Sequence, residues 1–290
     1  MSRMGLLLLL VTTALAPIIW GSTYIVTSEL LPPNSPLMAA LIRALPAGML
    51  LVIATRTMPK GNWWLRIALL GFLNIGFFFY CLFYAATYLP GGMAALVMSS
   101  QALMVIALSR CLLGSTLTLH HVIAGSVGIV GIGLLVLNNN AELSHSGMAI
   151  ALLGTLSMAL GVVLTKKWGR PKGMSLLGFT GWQLLFGGLM LAPVALSIEG
   201  IPSNMTLSNV FGYLYLGMIG AIVGYFLWFR GIEKLPAISI SFLGFLSSVS
   251  ACVLGYAFLQ QTFTSTQLIG AIAIFASIIL SNQKPKPITH

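Results

Sequence analysis

Residues Pro36 to Thr55 read PLMAALIRALPAGMLLVIAT, an apolar run interrupted by one charge, Arg43. A bilayer's hydrocarbon core is about 30 Å thick and takes about 20 helical residues to cross, so the run has the length of one membrane span. A guanidinium seven residues inside it lies about 10 Å from the start at about 1.5 Å per residue. Left unpaired there, it costs at least about 2.5 kcal/mol. Arg43 should therefore face a cavity or a cluster of carbonyls.

Outward from this stretch the pattern repeats. Only 6% of the 290 residues are charged and 58% are hydrophobic, where a soluble domain carries about 25% charged residues. Further spans are predicted at Gly5 to Leu30, Ile67 to Tyr88, Gly91 to Leu113 and Leu117 to Leu137. A second set follows at Gly147 to Thr165, Ser175 to Ile198, Leu207 to Phe229, Pro236 to Leu259 and Gln267 to Ser281. Residues 1–16 mimic a signal peptide, but Pro17 disfavours cleavage and the apolar run continues to Val26, so this reads as a retained first helix. The expected fold is an all-α polytopic membrane protein with ten transmembrane helices.

Thirteen of the fourteen Lys and Arg residues lie in alternate connections or tails. They are Arg3, then Arg56, Lys60 and Arg66, then Arg110, then Lys166, Lys167, Arg170 and Lys172, then Arg230 and Lys234, then Lys284 and Lys286. The other connections hold Pro32-Pro33, Pro90, Asn138-Asn139-Asn140, Asn204 and Gln260-Gln261. By the positive-inside rule both termini are cytoplasmic. The net charge of +10 thus reports orientation, and basic residues this dispersed do not form a nucleic-acid surface.

The two halves, 1–140 and 141–290, resemble each other. Phe83-Tyr84-Ala85-Ala86-Thr87-Tyr88-Leu89-Pro90 corresponds to Phe229-Arg230-Gly231-Ile232-Glu233-Lys234-Leu235-Pro236, with Gly71 and Gly217 equally far upstream. In the second and seventh spans Leu45-Pro46-Ala47-Gly48 runs parallel to Leu185-Phe186-Gly187-Gly188, a register that pairs Arg43 with Gln183. Each half has five spans, an odd number, so the second copy enters the membrane from the opposite side. Inverted repeats of this kind suit alternating access around a central cavity.

Trp20-Gly21-Ser22-Thr23-Tyr24, Arg43-Ala44-Leu45-Pro46-Ala47-Gly48, Leu89-Pro90-Gly91-Gly92 and Trp228-Phe229-Arg230-Gly231-Ile232-Glu233 resemble the EamA family of the drug/metabolite transporter superfamily. The likeness covers nearly the whole chain and makes each half an EamA repeat. Thr165-Lys166-Lys167-Trp168-Gly169-Arg170-Pro171 and Phe179-Thr180-Gly181-Trp182-Gln183 are similar to PecM-like members, associated with pigment or metabolite efflux. The resemblance implies a cavity lined by helices one to four and six to nine, with the fifth and tenth peripheral. The chain departs from the family at Gly114-Ser115 and Gln260-Gln261, where Gly-Glu is frequent, and at Ala102 and Ser248, where a helix-bending proline is frequent.

Chemistry has few residues to draw on. There is no Asp, and the four carboxylates, Glu29, Glu142, Glu199 and Glu233, fall at span ends or in connections. A buried acid for proton exchange is therefore not expected, which counts against a proton-coupled multidrug exporter; only Glu29 could titrate near the outer mouth. An integral-membrane enzyme lacks its acid or metal constellation, and a membrane regulatory protein lacks a long cytoplasmic segment. No metal or cofactor is implied. Cys81, Cys111 and Cys252 read as small core residues.

Candidate substrate-binding residues are the polar and aromatic side chains inside spans: Trp20, Tyr24, Arg43, Asn74, Tyr80, Gln101, Trp182, Gln183, Tyr225 and Ser247. Ser22, Thr23, Ser99, Ser100, Trp228 and Ser248 form a wider set. Arg43 has two readings, a donor to a substrate carboxylate or a pin for helix carbonyls. Asn74, Gln101 and Gln183 need partners in hydrocarbon, from a wet cavity or a neighbouring helix. Trp63 and Trp64 read as interfacial anchors. Small residues Gly125, Gly128, Gly131 and Gly133, with Gly270, Ala273 and Ser277, permit close packing inside the chain or in a weak homodimer. The expected function is export or exchange of a small metabolite, amino-acid-like, aromatic or pigment-like, across the bacterial inner membrane.

Overall fold

In a computed structural model, residues 3–88, 97–116, 118–136, 144–202, 205–259 and 264–281 are described. The side chain of Tyr24 lies outside the described residues, as do Leu89-Pro90-Gly91-Gly92, Asn138-Asn139-Asn140, Glu142, Asn204, Gln260-Gln261, Lys284 and Lys286.

Every described segment of regular structure is helical. The helices are α1 (Arg3–Leu30), α2 (Pro36–Thr55) and α3, which runs from Trp63–Gly71 through Phe72–Gly76 into Phe77–Tyr88. After them come α4 (Val97–Leu113), α5 (Leu119–Val136), α6 (His145–Trp168) and α7 (Leu176–Ile198). Last are α8 (Leu207–Lys234), α9 (Ala237–Phe258) and α10 (Ser265–Ser281). Seven of them, α1, α2, α3, α6, α7, α8 and α9, are long and apolar enough to cross a membrane, and α4, α5 and α10 are shorter apolar helices. Leu50, Ile53, Leu153, Leu189, Phe211 and Phe275 stand exposed on their outer faces, a surface suited to lipid rather than water.

Local chemistry sets the ends. Ser144 and Ser175 accept from the amides of Gly147 and Gly178, and Thr206 and Asn209 form a capping box at the start of α8, satisfying donors that an N-terminal turn leaves open. Glu199 does the same from a distance, its two oxygens accepting from Leu37 N at 2.8 Å and Met38 N at 2.7 Å at the head of α2. Gly114 and Gly169, at φ 66° and 68°, end α4 and α6 in a conformation glycine adopts freely. The structure differs from the hydropathy reading mainly at the basic ends. There α3 begins at Trp63 and α6 continues to Trp168, so Trp63, Trp64, Lys166 and Lys167 are helical.

Packing crosses between the halves. α2 lies most extensively on α7 and α5 on α10; α1 gathers α8 and α9, while α6 gathers α3 and α4. The α2–α7 crossing needs its glycines: a Cβ on Gly188 would meet Leu45 Cα at 2.7 Å, and one on Gly48 would run into the Leu185 backbone. The small residues of α5 and α10 serve this chain itself, with the Cβ position of Gly131 2.9 Å from Gly270 O and Ser277 Oγ donating to Ala124 O at 2.7 Å.

Two irregularities bear on the site. α3 and α8 each pass through a π-helical stretch, Phe72–Gly76 and Leu216–Val223, at or beside Gly71 and Gly217, which the sequence register pairs. The helical pattern of α4 is interrupted at Ser100 and that of α9 at Gly244 and Phe245, close to Ala102 and Ser248. Both helices are interrupted at this level without proline.

Candidate functional site

A cavity of about 420 Å³ lies between the two groups of helices, within the size range of small-molecule sites. From the first group come Trp20, Thr23, Thr27 and Ser28 of α1, Tyr225 and Trp228 of α8, and Ser241, Gly244, Phe245, Ser247 and Ser248 in and beside the two segments of α9. Facing them are Phe78, Phe79 and Leu82 of α3, Met98, Ser99 and Gln101 of α4, and Thr155 and Met158 of α6. Pro36 and Arg43 of α2 and Ile132 of α5 complete the wall. Pro36 heads α2 and exposed Ser28 lies near the end of α1, so the cavity reaches the end of the bundle opposite the basic connections. Towards the basic end it stops at Met158 and Trp228, below which Val162, Val163, Ile232 and Leu235 are buried in one apolar cluster.

Arg43 is 7% exposed and is the one ionised side chain in this lining among the described residues. Its Nη2 donates to Gly220 O at 3.3 Å, and its guanidinium carbon lies 5.2 Å from the centre of the Phe79 ring. One side of the group thus rests on α8 and the other on α3. Gly220 O also accepts from Trp20 Nε1 at 2.9 Å. The Trp20 ring sits 5.0 Å from Tyr225 and 5.2 Å from Trp228, so a cation is embedded in an aromatic wall. The two readings of Arg43 meet here, since it bonds a helix carbonyl and lines the cavity.

Of the predicted substrate residues, the structure brings Trp20, Arg43, Gln101, Tyr225 and Ser247 into the lining. Asn74, Gln183, Trp182 and Tyr80 stand elsewhere. Asn74 and Gln183 are both fully buried, with Asn74 Nδ2 donating to Gln183 Oε1 at 2.9 Å and to Thr165 Oγ1 at 3.3 Å. Asn74 Oδ1 and Gln183 Nε2 have no further partner among the described residues. Trp182 donates Nε1 to Thr57 O at 2.7 Å and packs 5.0 Å from Trp64, while Tyr80 lies 5.9 Å from Tyr84. The reason is the glycine-mediated crossing with α2: it holds Gln183 of α7 against α3, and α7 contributes nothing to the cavity wall among the described residues. The implied lining by helices one to four and six to nine is corrected at α7, and at α5, whose Ile132 reaches the cavity.

Phe78, Phe79, Leu82, Met98 and Met158 were missed because apolar residues inside a span carry no mark of the face they present. Thr155 is disguised by a helical bond of its own, Oγ1 donating to Ala151 O at 2.7 Å. The described carboxylates are occupied or peripheral. Glu199 caps α2, Glu233 pairs with Arg170 at 2.8 Å, and Glu29 is exposed beside Ser28.

Comparison with known proteins gives this arrangement its context. The sequence profile of the EamA-like transporter family matches residues 4–137 and again 145–283. The chain belongs to the EamA-like transporter family. Protein PecM of Dickeya dadantii is 49% identical over 265 residues, covering 91% of this chain and 89% of that protein. A probable amino-acid metabolite efflux pump of Salmonella typhimurium is 28% identical, covering 92% of each. A crystal structure superposes with a TM-score of 0.81 at 17% identity, covering 97% of both chains, a likeness of fold. Membership joins this EamA chain's apolar helices and the cavity between them to a family of membrane transport and efflux proteins.

Proposed function

We propose that the chain is a secondary transporter that exports or exchanges a small carboxylate-bearing metabolite, aromatic, amino-acid-like or pigment-like, across the bacterial inner membrane. The observation that carries this reading is Arg43, a guanidinium on a cavity wall whose other described side chains are uncharged: aromatic rings, aliphatic chains, hydroxyls and the amide of Gln101. A carboxylate can take two parallel bonds from a guanidinium, and a planar body can lie against Trp20, Tyr225 and Phe79. The efflux-pump relative points to solutes of the same kind.

Transport proceeds by alternating access of two inverted repeats, 1–140 and 141–290, with all ten helices crossing the bilayer and both termini in the cytoplasm. Three observations support this. The family profile matches twice; the helix pairings keep the same form when the halves are exchanged; and the π-helical stretches fall at corresponding places. The cavity in this orientation faces outward. A proton-coupled exporter of cationic drugs has less support, because no carboxylate lines the cavity among the described residues.

Counterflow in proteoliposomes, with labelled amino acids and aromatic carboxylates and with or without a pH gradient, tests the reading. The expected result is exchange of at least one carboxylate solute independent of the gradient and lost in Arg43→Ala. Exchange that needs the gradient, or that survives Arg43→Ala with unchanged affinity, would overturn it.

A further inference from the structure

The helices that part around the cavity are held together at the basic end. Lys166, in the last turn of α6, donates Nζ to the main-chain oxygen of Glu233 in the last turn of α8 at 2.9 Å. Arg170, just beyond α6, donates Nε to Glu233 Oε1 at 2.8 Å, and its Nη1 donates to Met174 O. α6 belongs to one group of helices and α8 to the other, so Glu233 joins the two groups at the end where the cavity is shut. A hollow of about 330 Å³ lies at this junction, lined by Thr165, Lys166, the 169–174 turn and Glu233.

One face of each helix connects this hollow to the cavity. On α6 the face runs from Met158 in the cavity through Val162 to Thr165 and Lys166 in the hollow, spacings of three and four residues that stack along a helix. On α8 it runs from Trp228 through Ile232 to Leu235, and Glu233, the residue after Ile232, stands beside this face and lines the hollow. Val162 and Ile232 are fully buried in one cluster, forming an apolar plug about one to two helical turns thick. Side-chain hydrogen bonds across this seam between α6 and α8, among the described residues, run from Lys166 and Arg170 to Glu233. What spans it is packing and the Glu233 contacts.

We infer that Glu233, gripped by Arg170 and Lys166, is the latch that closes the basic end of the pathway, and that the seam at Val162 and Ile232 is where solute passes when that end opens. Glu233 touches no substrate; it is a positioning residue, setting the balance between the two open states. The inference rests on the alternating-access reading. With side-chain exposures of 34% for Arg170 and 22% for Glu233, the pair is of the weak, solvent-screened kind. A weak latch suits a gate that must open in every cycle.

The test uses the full chain with Cys81, Cys111 and Cys252 replaced and one cysteine introduced, either Val162→Cys in the seam or Ser28→Cys at the opposite mouth. Labelling by a membrane-impermeant maleimide is followed from each side of the membrane. Glu233→Gln and Arg170→Gln are expected to raise Val162→Cys labelling from the basic side by about two- to five-fold, the population shift that an exposed ion pair supports. Labelling of Ser28→Cys should fall in parallel, and the exchanged pair Arg170→Glu with Glu233→Arg should restore both rates. Unchanged labelling at both sites, or an exchanged pair worse than either single substitution, overturns the latch. Should Glu233→Gln fail to fold, raised salt on the unsubstituted latch gives the same readout, since screening weakens an exposed pair; labelling insensitive to salt counts against it. Labelling needs no substrate, so these outcomes are separate from those of the counterflow experiment.

Discussion

Two polar junctions occupy corresponding places in the halves, and their difference is instructive. In one, Arg43 of α2 and Trp20 of α1 converge on Gly220 in the π-helical stretch of α8. In the other, Gln183 of α7 and Thr165 of α6 converge on Asn74 in the π-helical stretch of α3. Asn74 lies three residues past Gly71 and Gly220 three past Gly217, so the positions correspond as Arg43 and Gln183 do. The first junction offers a charge to the cavity through a main-chain acceptor. The second sets two amides against each other in the buried interior. Under the proposed function, one junction serves binding and the other cohesion.

The harshest way to break the comparison is to remove the crossing both junctions share. Gly188→Val puts a Cβ 2.7 Å from Leu45 Cα, well inside van der Waals contact. Overpacking against backbone costs about 1–3 kcal/mol or more, so the variant should lose its folded population by size-exclusion profile and thermal unfolding in detergent. Next in size is Arg43→Gln, which makes the two junctions chemically alike. Losing a hydrogen bond to a charged group, about 1.5–3 kcal/mol, should raise the half-saturation concentration for a carboxylate solute about 10- to 100-fold, with little change in unfolding temperature.

Asn74→Leu or Gln183→Leu sharpens the other side. Each leaves one buried amide without its partner, a loss of about 1–3 kcal/mol, expected as a lower unfolding midpoint at unchanged solute affinity. The double substitution should recover much of that stability; a double variant as unstable as the sum of the singles would show that the pair does not act together. The smallest effect belongs to Trp20→Phe. It keeps the ring and loses the bond to Gly220 O, worth about 1 kcal/mol, so a change of about five-fold or less in affinity is expected by counterflow.

The sequence made the membrane class and most helix limits legible because hydropathy is a property of single residues summed along a span. Pro36 to Thr55 was read to the residue, since a proline begins it and a charged residue follows it. Trp63 and Lys166 fell outside their expected spans because amphipathic side chains at an interface are compatible with either helix or connection. The site was half legible. Arg43, Trp20 and Tyr225 stand out in any apolar stretch, and the cavity receives them. Gln183 and Asn74 stand out equally, yet they are buried against each other and joined by one hydrogen bond. Which outcome applies depends on helix rotation, and that was set by Gly48 and Gly188, whose missing side chains carry no direction in a sequence.

The pairings of α2 with α7 and α5 with α10 have a consequence for the chain as a whole. Each is a contact between the halves, so most of what binds the protein together is intermolecular in character, as in a dimer whose subunits happen to share one backbone. The connection between α5 and α6 then acts as a tether that raises the local concentration of each half near the other. Two separately synthesised halves would retain every face by which they recognise one another.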